Sequence, residues 1–205
     1  MFTGIVQGKA TVHQITQKAN LMTVIFEFPP QALHNLTEGA SIAINGTCLT
    51  VTYHDGNFAR FDIIDETLRV TNLGQLTVGQ SVNYERAARF GDEIGGHLLS
   101  GHIHTVAELV DVHKTETNTR LNFKVPEQWI KYILPKGFVA LNGCSLTVGA
   151  DVDNGEFCVH LIPETLEVTI FGQATVGERI NLEVDSQTQT IVDTIERMGL
   201  TIKNS

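Results

Sequence analysis

Residues 62–85 read DIIDETLRVTNLGQLTVGQSVNYE, and residues 160–183 read HLIPETLEVTIFGQATVGERINLE, identical at 13 of 24 positions. A second block keeps the same order: residues 41–51, SIAINGTCLTV, match residues 138–148, FVALNGCSLTV, at 6 of 11 positions. The opening Phe2-Thr3-Gly4-Ile5-Val6 pairs more loosely with Leu99-Ser100-Gly101-His102-Ile103. Blocks in one order at offsets of 97 or 98 mark a duplicated module. Its length, roughly 90 to 97 residues, is far above the unit of a solenoid. The expected division is a first module over residues 1–97, a second over 98–186, and a C-terminal helix and tail over 187–205.

Within each copy the apolar signal has period two and is rich in β-branched residues, as in Thr23-Val24-Ile25-Phe26, Ser41-Ile42-Ala43-Ile44, Leu49-Thr50-Val51-Thr52 and Ser81-Val82-Asn83-Tyr84. Asn-Gly, Asp-Gly and Val-Gly pairs punctuate these runs and mark tight turns. The class is all-β, with a small antiparallel barrel or sandwich per copy. One short helix is expected from Pro126, with Trp129, Ile130 and Ile133 on one face and an end before Pro135; Pro30–Leu36 holds the matching place in the first copy. Ser186-Gln187-Thr188-Gln189 reads as a capping box opening a last helix. Ile191, Ile195, Met198 and Ile202 then form one stripe, which either docks on a neighbouring barrel or makes a seam between subunits.

The 205 residues are 42% hydrophobic and 18% charged, enough apolar material for packed cores. No run of about 18 apolar residues occurs, so no transmembrane helix is expected. Net charge is −9, with 14 Lys and Arg against 23 Asp and Glu and no basic stripe, which argues against a nucleic-acid partner. Cys48, Cys144 and Cys158 form no CxxC pair, so neither a disulfide framework nor a zinc site is expected. The N-terminus lacks the pattern of a signal peptide, and the expected location is cytoplasmic.

The sequence contains no nucleotide-binding glycine loop, serine-hydrolase elbow or zinc-protease motif. His97, His102 and His104 cluster at spacings that suit no common zinc pattern, and no metal is expected. The repeat is more informative. The copies agree at Asn45-Gly46 and Asn142-Gly143, read as turns, at Leu49-Thr50 and Leu146-Thr147, and at Glu66-Thr67-Leu68 and Glu164-Thr165-Leu166. They differ where chemistry resides: Ser41 against Phe138, Cys48 against Ser145, Ile5 against His102, Asp62 against His160. A duplicated pocket can hold two similar molecules, and such inequality lets the two be treated differently. Histidine is the side chain that moves protons near neutrality, though a histidine on a strand also serves structure alone. Cys48, taken alone, reads more simply as a small buried hydrophobe.

On these residues the chain resembles the riboflavin synthase family. The resemblance rests on Met1-Phe2-Thr3-Gly4-Ile5-Val6, on residues 43–51 (AINGTCLTV), on residues 66–74 (ETLRVTNLG), on residues 95–102 (GGHLLSGH), on residues 143–148 (GCSLTV) and on Pro163-Glu164-Thr165-Leu166. It implies two tandem six-stranded antiparallel Greek-key barrels plus a C-terminal α-helix. It also implies a homotrimer whose active sites lie between the first barrel of one subunit and the second barrel of its neighbour. The implied reaction is dismutation of two 6,7-dimethyl-8-ribityllumazine molecules: one gives a four-carbon unit to the other, yielding riboflavin and 5-amino-6-ribitylamino-uracil, without any cofactor. One substrate must lose a proton from its C7 methyl, and the other must accept a nucleophile at C7.

Carried over by position, the resemblance implies a first-barrel pocket of Gly4, Ile5, Val6, Cys48, Leu49 and Thr50, with Asp62, Ile63, Ile64, Asp65, Glu66 and Thr67. The second-barrel pocket is Gly101, His102, Ile103, Lys136, Ser145, Leu146 and Thr147, with His160, Leu161, Ile162, Pro163, Glu164 and Thr165. His102 is the expected proton-transfer group. Ser41 and Cys48 are candidates for supplying or positioning the nucleophile, with water as the alternative. Ser145, Thr147 and Asp185 are expected as supporting polar partners. The rival reading is a non-catalytic lumazine- or flavin-binding antenna protein, whose second pocket has lost key residues; here Ser100-Gly101-His102 and Ser145-Leu146-Thr147 are intact. A flavin-dependent reductase would need a nicotinamide domain for which two barrels leave no room.

Overall fold

The computed structural model describes residues 1–199. Strands β1 (Gly8–Lys18), β2 (Leu21–Glu27), β3 (Ser41–Ile44), β4 (Thr47–Asp55), β5 (Phe58–Ile64) and β6 (Ser81–Arg86) close an antiparallel barrel in the order β1-β2-β5-β4-β3-β6. The second copy repeats the circuit with β7 (Thr105–Lys114), β8 (Thr119–Lys124), β9 (Phe138–Leu141), β10 (Cys144–Asp153), β11 (Glu156–Leu161) and β12 (Arg179–Val184). All four period-two runs read from the sequence lie within strands.

Alternation sends one side of each strand inward. Met22, Val24 and Phe26 on β2 meet Phe61 and Ile63 on β5, with the Phe26 and Phe61 rings edge-on at 5.8 Å. The second barrel places Phe123 on Phe157 at 5.7 Å. Each such side chain, removed from water, contributes about 1.5–3 kcal/mol.

The helices are short. Pro163 opens α3 (Pro163–Val168), the counterpart of α1 (Asp65–Val70); neither was expected from the sequence. Between them in the chain, α2 (Glu127–Ile130) follows Pro126 as expected. Its match over Pro30–Leu36 is a run of turns rather than a helix. There Gln31 and Asn35 adopt φ of 72° and 54°, which no α-helix accommodates, while Leu33 and Leu36 still reach the core. The last helix, α4 (Ser186–Arg197), is capped by Asp185, whose carboxylate accepts the Thr188 N–H at 2.8 Å. The capping residue is therefore Asp185, one position before the Ser186 of the expected box. Val192 packs on the second barrel, and Lys131–Glu196 and Tyr132–Asp193 contacts fix the same side. Ile191 and Met198 remain exposed and Ile195 is half-buried. Ile202, the fourth residue of the stripe, lies outside the described residues.

The two barrels are joined by an exchange. Phe2 and Leu99 bond each other through both backbone N–H groups, at 2.9 and 3.0 Å, and with Ala43 and Ala140 they fill a small shared core. From that bridge each segment runs to the opposite barrel. Val6 enters the second barrel's core. Beside the bridge the two Asn-Gly turns abut: the Asn83 amide donates to the Asn142 carbonyl at 3.0 Å, and the Asn181 amide to the Asn45 carbonyl at 2.9 Å.

Candidate functional site

The hairpin of β3 and β4 sets Ser41 opposite Thr50 and Ala43 opposite Cys48. Leu49 and Val51 point inward, so Cys48, Thr50 and Ser41 share the outer face. The second hairpin repeats this with Phe138 opposite Thr147 and Ser145 two residues earlier. Cys48 and Ser145 are half-buried, and Thr50 and Thr147 are exposed.

Half-burial comes from the exchanged segments. The Gly4 carbonyl accepts the Ser145 N–H and the Gly101 carbonyl accepts the Cys48 N–H, each at 2.8 Å. Both glycines have positive φ, 74° and 80°, and a Cβ would stand 2.5 Å from that of Ser145 or 2.6 Å from that of Cys48. Only glycine fits here. The grouping expected from the sequence is thereby reversed. Gly4, Ile5 and Val6 line a cavity of about 260 Å³ on the second barrel with Ser145, Glu164 and Thr165, whereas Gly101 covers the first.

Other expected residues separate into several groups. Ile63 and Leu161 turn their side chains into the cores, as do Leu49 and Leu146, so none of the four presents a side chain to a ligand. Asp62 accepts the Thr23 hydroxyl at 2.7 Å, and His160 shares a hydrogen bond with Asn118 at 2.9 Å. Ile64 and Ile162 stand exposed just ahead of α1 and α3. Asp65 and Glu66 open α1, where Glu66 pairs with Arg69. The carbonyls of Thr67 and Thr165 accept hydroxyls one turn on, from Thr71 and Thr169. Lys136 is exposed in the turn before β9, at φ 64°. His102 is exposed, its N–H donating to the Ser100 hydroxyl at 3.1 Å, and Ile103 is half-buried.

The closest polar contact at either hairpin involves a residue that the sequence presented only as a member of a histidine cluster unsuited to zinc. His97, 8% exposed, shares a 2.6 Å hydrogen bond between Nδ1 and the Ser145 hydroxyl and stacks on Phe138 at 5.1 Å. Its Nε2 is buried without a partner among the described residues. Burial pushes its pKa below the usual histidine value, partly opposed by the charge of Asp185. Burial also works against the Asp185 carboxylate, but the Thr188 hydroxyl and N–H, the Gln187 N–H and His97 hold its pKa below the ordinary value. Cys144, the neighbour of Ser145, is buried and its thiol is pushed up to about 12, which leaves it inert.

Two buried carboxylates complete the arrangement. Glu85 accepts the Thr3 N–H and hydroxyl at 2.6 and 2.8 Å and the Gly4 N–H at 3.0 Å. Glu183 does the same for Ser100, at 2.7 and 2.8 Å, and for Gly101 at 3.0 Å. Both are the closing identical position of the longer repeated block, a signal present in the sequence.

A family model described as the lumazine binding domain matches residues 3–87 and again residues 100–185. Over 199 residues the chain is 55% identical to a riboflavin synthase of Escherichia coli (strain K12), covering 97% of this chain and 93% of that one. It is 46% identical over 199 residues to a riboflavin synthase of Buchnera aphidicola subsp. Schizaphis graminum, covering 97% and 95%. Among solved structures, LumP complexed with riboflavin superposes with a TM-score of 0.85 at 27% identity, over 91% of this chain and 100% of that one. With both halves matched in sequence and in fold, the chain belongs to the lumazine-binding domain family, of which it carries two copies.

Proposed function

We propose that the chain catalyses the riboflavin synthase reaction, in which one 6,7-dimethyl-8-ribityllumazine passes a four-carbon unit to another. The observation that carries this reading is the inequality of two equivalent outer faces. One presents Ser41, Cys48 and Thr50 beneath Gly101. The other presents Phe138, Ser145 and Thr147 beneath Gly4, with His97 behind Ser145. Two like substrates that must play unlike parts need two like pockets with unlike walls.

Each substrate is held by backbone groups at its pteridine edge and by hydroxyls such as Thr50, Thr147 and Thr165. His102, on the exposed segment beside Gly101, moves the methyl proton. Ser41 and Cys48 supply or position the nucleophile. The hydrogen bond that His97 Nδ1 shares with the Ser145 hydroxyl fixes the direction in which that hydroxyl faces the ligand. Two substrates bound face to face react without the entropic penalty of their encounter. Both pockets open outward, so the reading places first barrel against the second barrel of another copy, in a cytoplasmic homotrimer. The exposed Ile191 of α4 and Met198, just past its last turn, suit that seam.

The test is direct. Purified protein given the lumazine alone yields one riboflavin per two substrates consumed. Tight binding without turnover overturns the reading in favour of an antenna-type chromophore carrier.

A further inference from the structure

Glu85 and Glu183 are each at most 4% exposed, and neither forms a salt bridge with a cation of the chain among the described residues. A carboxylate so buried is costly unless every lone pair that faces the protein finds a donor. Here the donors are all on the exchanged segments. Glu85 belongs to β6 of the first barrel, yet through Thr3 and Gly4 it fixes the carbonyl that holds Ser145 of the second. Glu183 belongs to β12 of the second barrel, yet through Gly101 it fixes the carbonyl that holds Cys48 of the first. The Ser100 hydroxyl donates to Glu183 and accepts the His102 N–H at 3.1 Å, so the same carboxylate sets the backbone from which His102 projects.

We propose that these two glutamates are crossed positioning residues: each carboxylate on the last strand of one barrel builds the wall of the ligand pocket on the other. The proposal rests on the reading of the two outer faces as lumazine pockets. Substituting glutamine keeps an oxygen for Thr3 or Ser100 but turns an N–H against the glycine N–H. The wall then moves at the far barrel, while the pocket on the glutamate's own barrel keeps its wall.

Cys48 makes this measurable in the full-length chain. It is half-buried in the first pocket, whereas Cys144 and Cys158 are buried, so iodoacetamide reports Cys48 and a bound ligand protects it. With 6,7-dimethyl-8-ribityllumazine as the protecting probe, Glu183→Gln raises the protecting concentration about tenfold, the loss expected for one charge-assisted hydrogen bond. Glu85→Gln leaves it unchanged. In a chain carrying Cys48→Ser and Ser145→Cys the pattern inverts, and Glu85→Gln is the variant that weakens protection. Ser100→Ala and Thr3→Ala, which keep the carboxylate and the glycine N–H bond but remove a hydroxyl donor, follow the same crossed pattern with smaller shifts, and they decide the matter if a glutamine variant fails to fold. Variants that act on both reporters alike, or on the same-barrel reporter, overturn the crossing. Absence of lumazine protection of Cys48 in the unaltered chain overturns instead the pocket reading on which the proposal rests.

Discussion

Gly46 and Gly143 meet back to back: a Cβ on Gly46 would stand 2.6 Å from the Gly143 nitrogen, and one on Gly143 2.8 Å from the Gly46 nitrogen. Both have positive φ, 78° and 79°. Gly46→Ala therefore combines backbone strain of roughly 1–3 kcal/mol with a clash that only separation of the barrels relieves. Thermal unfolding is expected at a clearly lower midpoint for either alanine variant; an unchanged midpoint would show that the barrels do not depend on this contact.

Gly96 has a comparable role beside the second pocket. Its Cβ would meet the Thr3 carbonyl oxygen at 2.4 Å and the Ser145 Cβ at 2.7 Å. Gly96→Ala is expected to push His97 off Ser145 and to cut riboflavin formation at least tenfold. The fold is expected to survive, since the strain falls on a linker outside both barrels. Circular dichroism and a turnover assay on one sample separate the two effects.

For His102, the proposed proton mover, His102→Ala is expected to slow turnover by about 10²–10⁴, the range for loss of one general acid–base group. Lumazine affinity is expected to change much less. A rate equal to that of the unaltered chain removes His102 from the mechanism.

Burial lowers the pKa of both His97 and His104 from the ordinary 6.5. Between those lowered values and 6.5 the unfolded chain binds more protons than the folded one. The contribution to stability is complete above 6.5 and is lost as pH falls through the lowered values. Glu85 acts in the opposite sense at lower pH, because burial raises its pKa above 4.5. Unfolding midpoints measured downward from about pH 7.5 are thus expected to drop, with a shallower slope in His97→Asn and His104→Asn. Equal slopes in all three proteins contradict this account.

On α4 and at its C-cap, Ile191→Asp and Met198→Asp are expected to yield a smaller species by light scattering, with unaltered secondary structure and little turnover. Full activity in a monomer excludes sites shared between copies.

The duplicated barrels were legible because residues 62–85 and 160–183 repeat one pattern of strand, turn and strand. What the comparison of copies hid is which barrel a leading segment covers. Gly4 and Gly101 occupy equivalent places whether each lies on its own barrel or on the other, so alignment leaves the exchange open. His97 stood out only as part of the His97, His102 and His104 cluster; it lies outside the blocks that repeat, so comparison of the copies did not point to its place beside Ser145. Glu85 and Glu183 were visible as identities but carry no motif. A carboxylate near the end of a strand reads as solvated until its donors, 81 or more residues away, are located.

The exchange of leading segments bears on ancestry. A solitary copy of this module would expose the outer face that its own leading segment leaves bare, and would hold a segment with nowhere to lie. Such a copy is complete only as a symmetric pair, with two equal pockets. Two copies in one chain keep the embrace without being bound to identity, so that Cys48 can differ from Ser145, and Ser41 from Phe138. Unequal outer faces of this kind are what a symmetric pair of identical chains is forbidden to have.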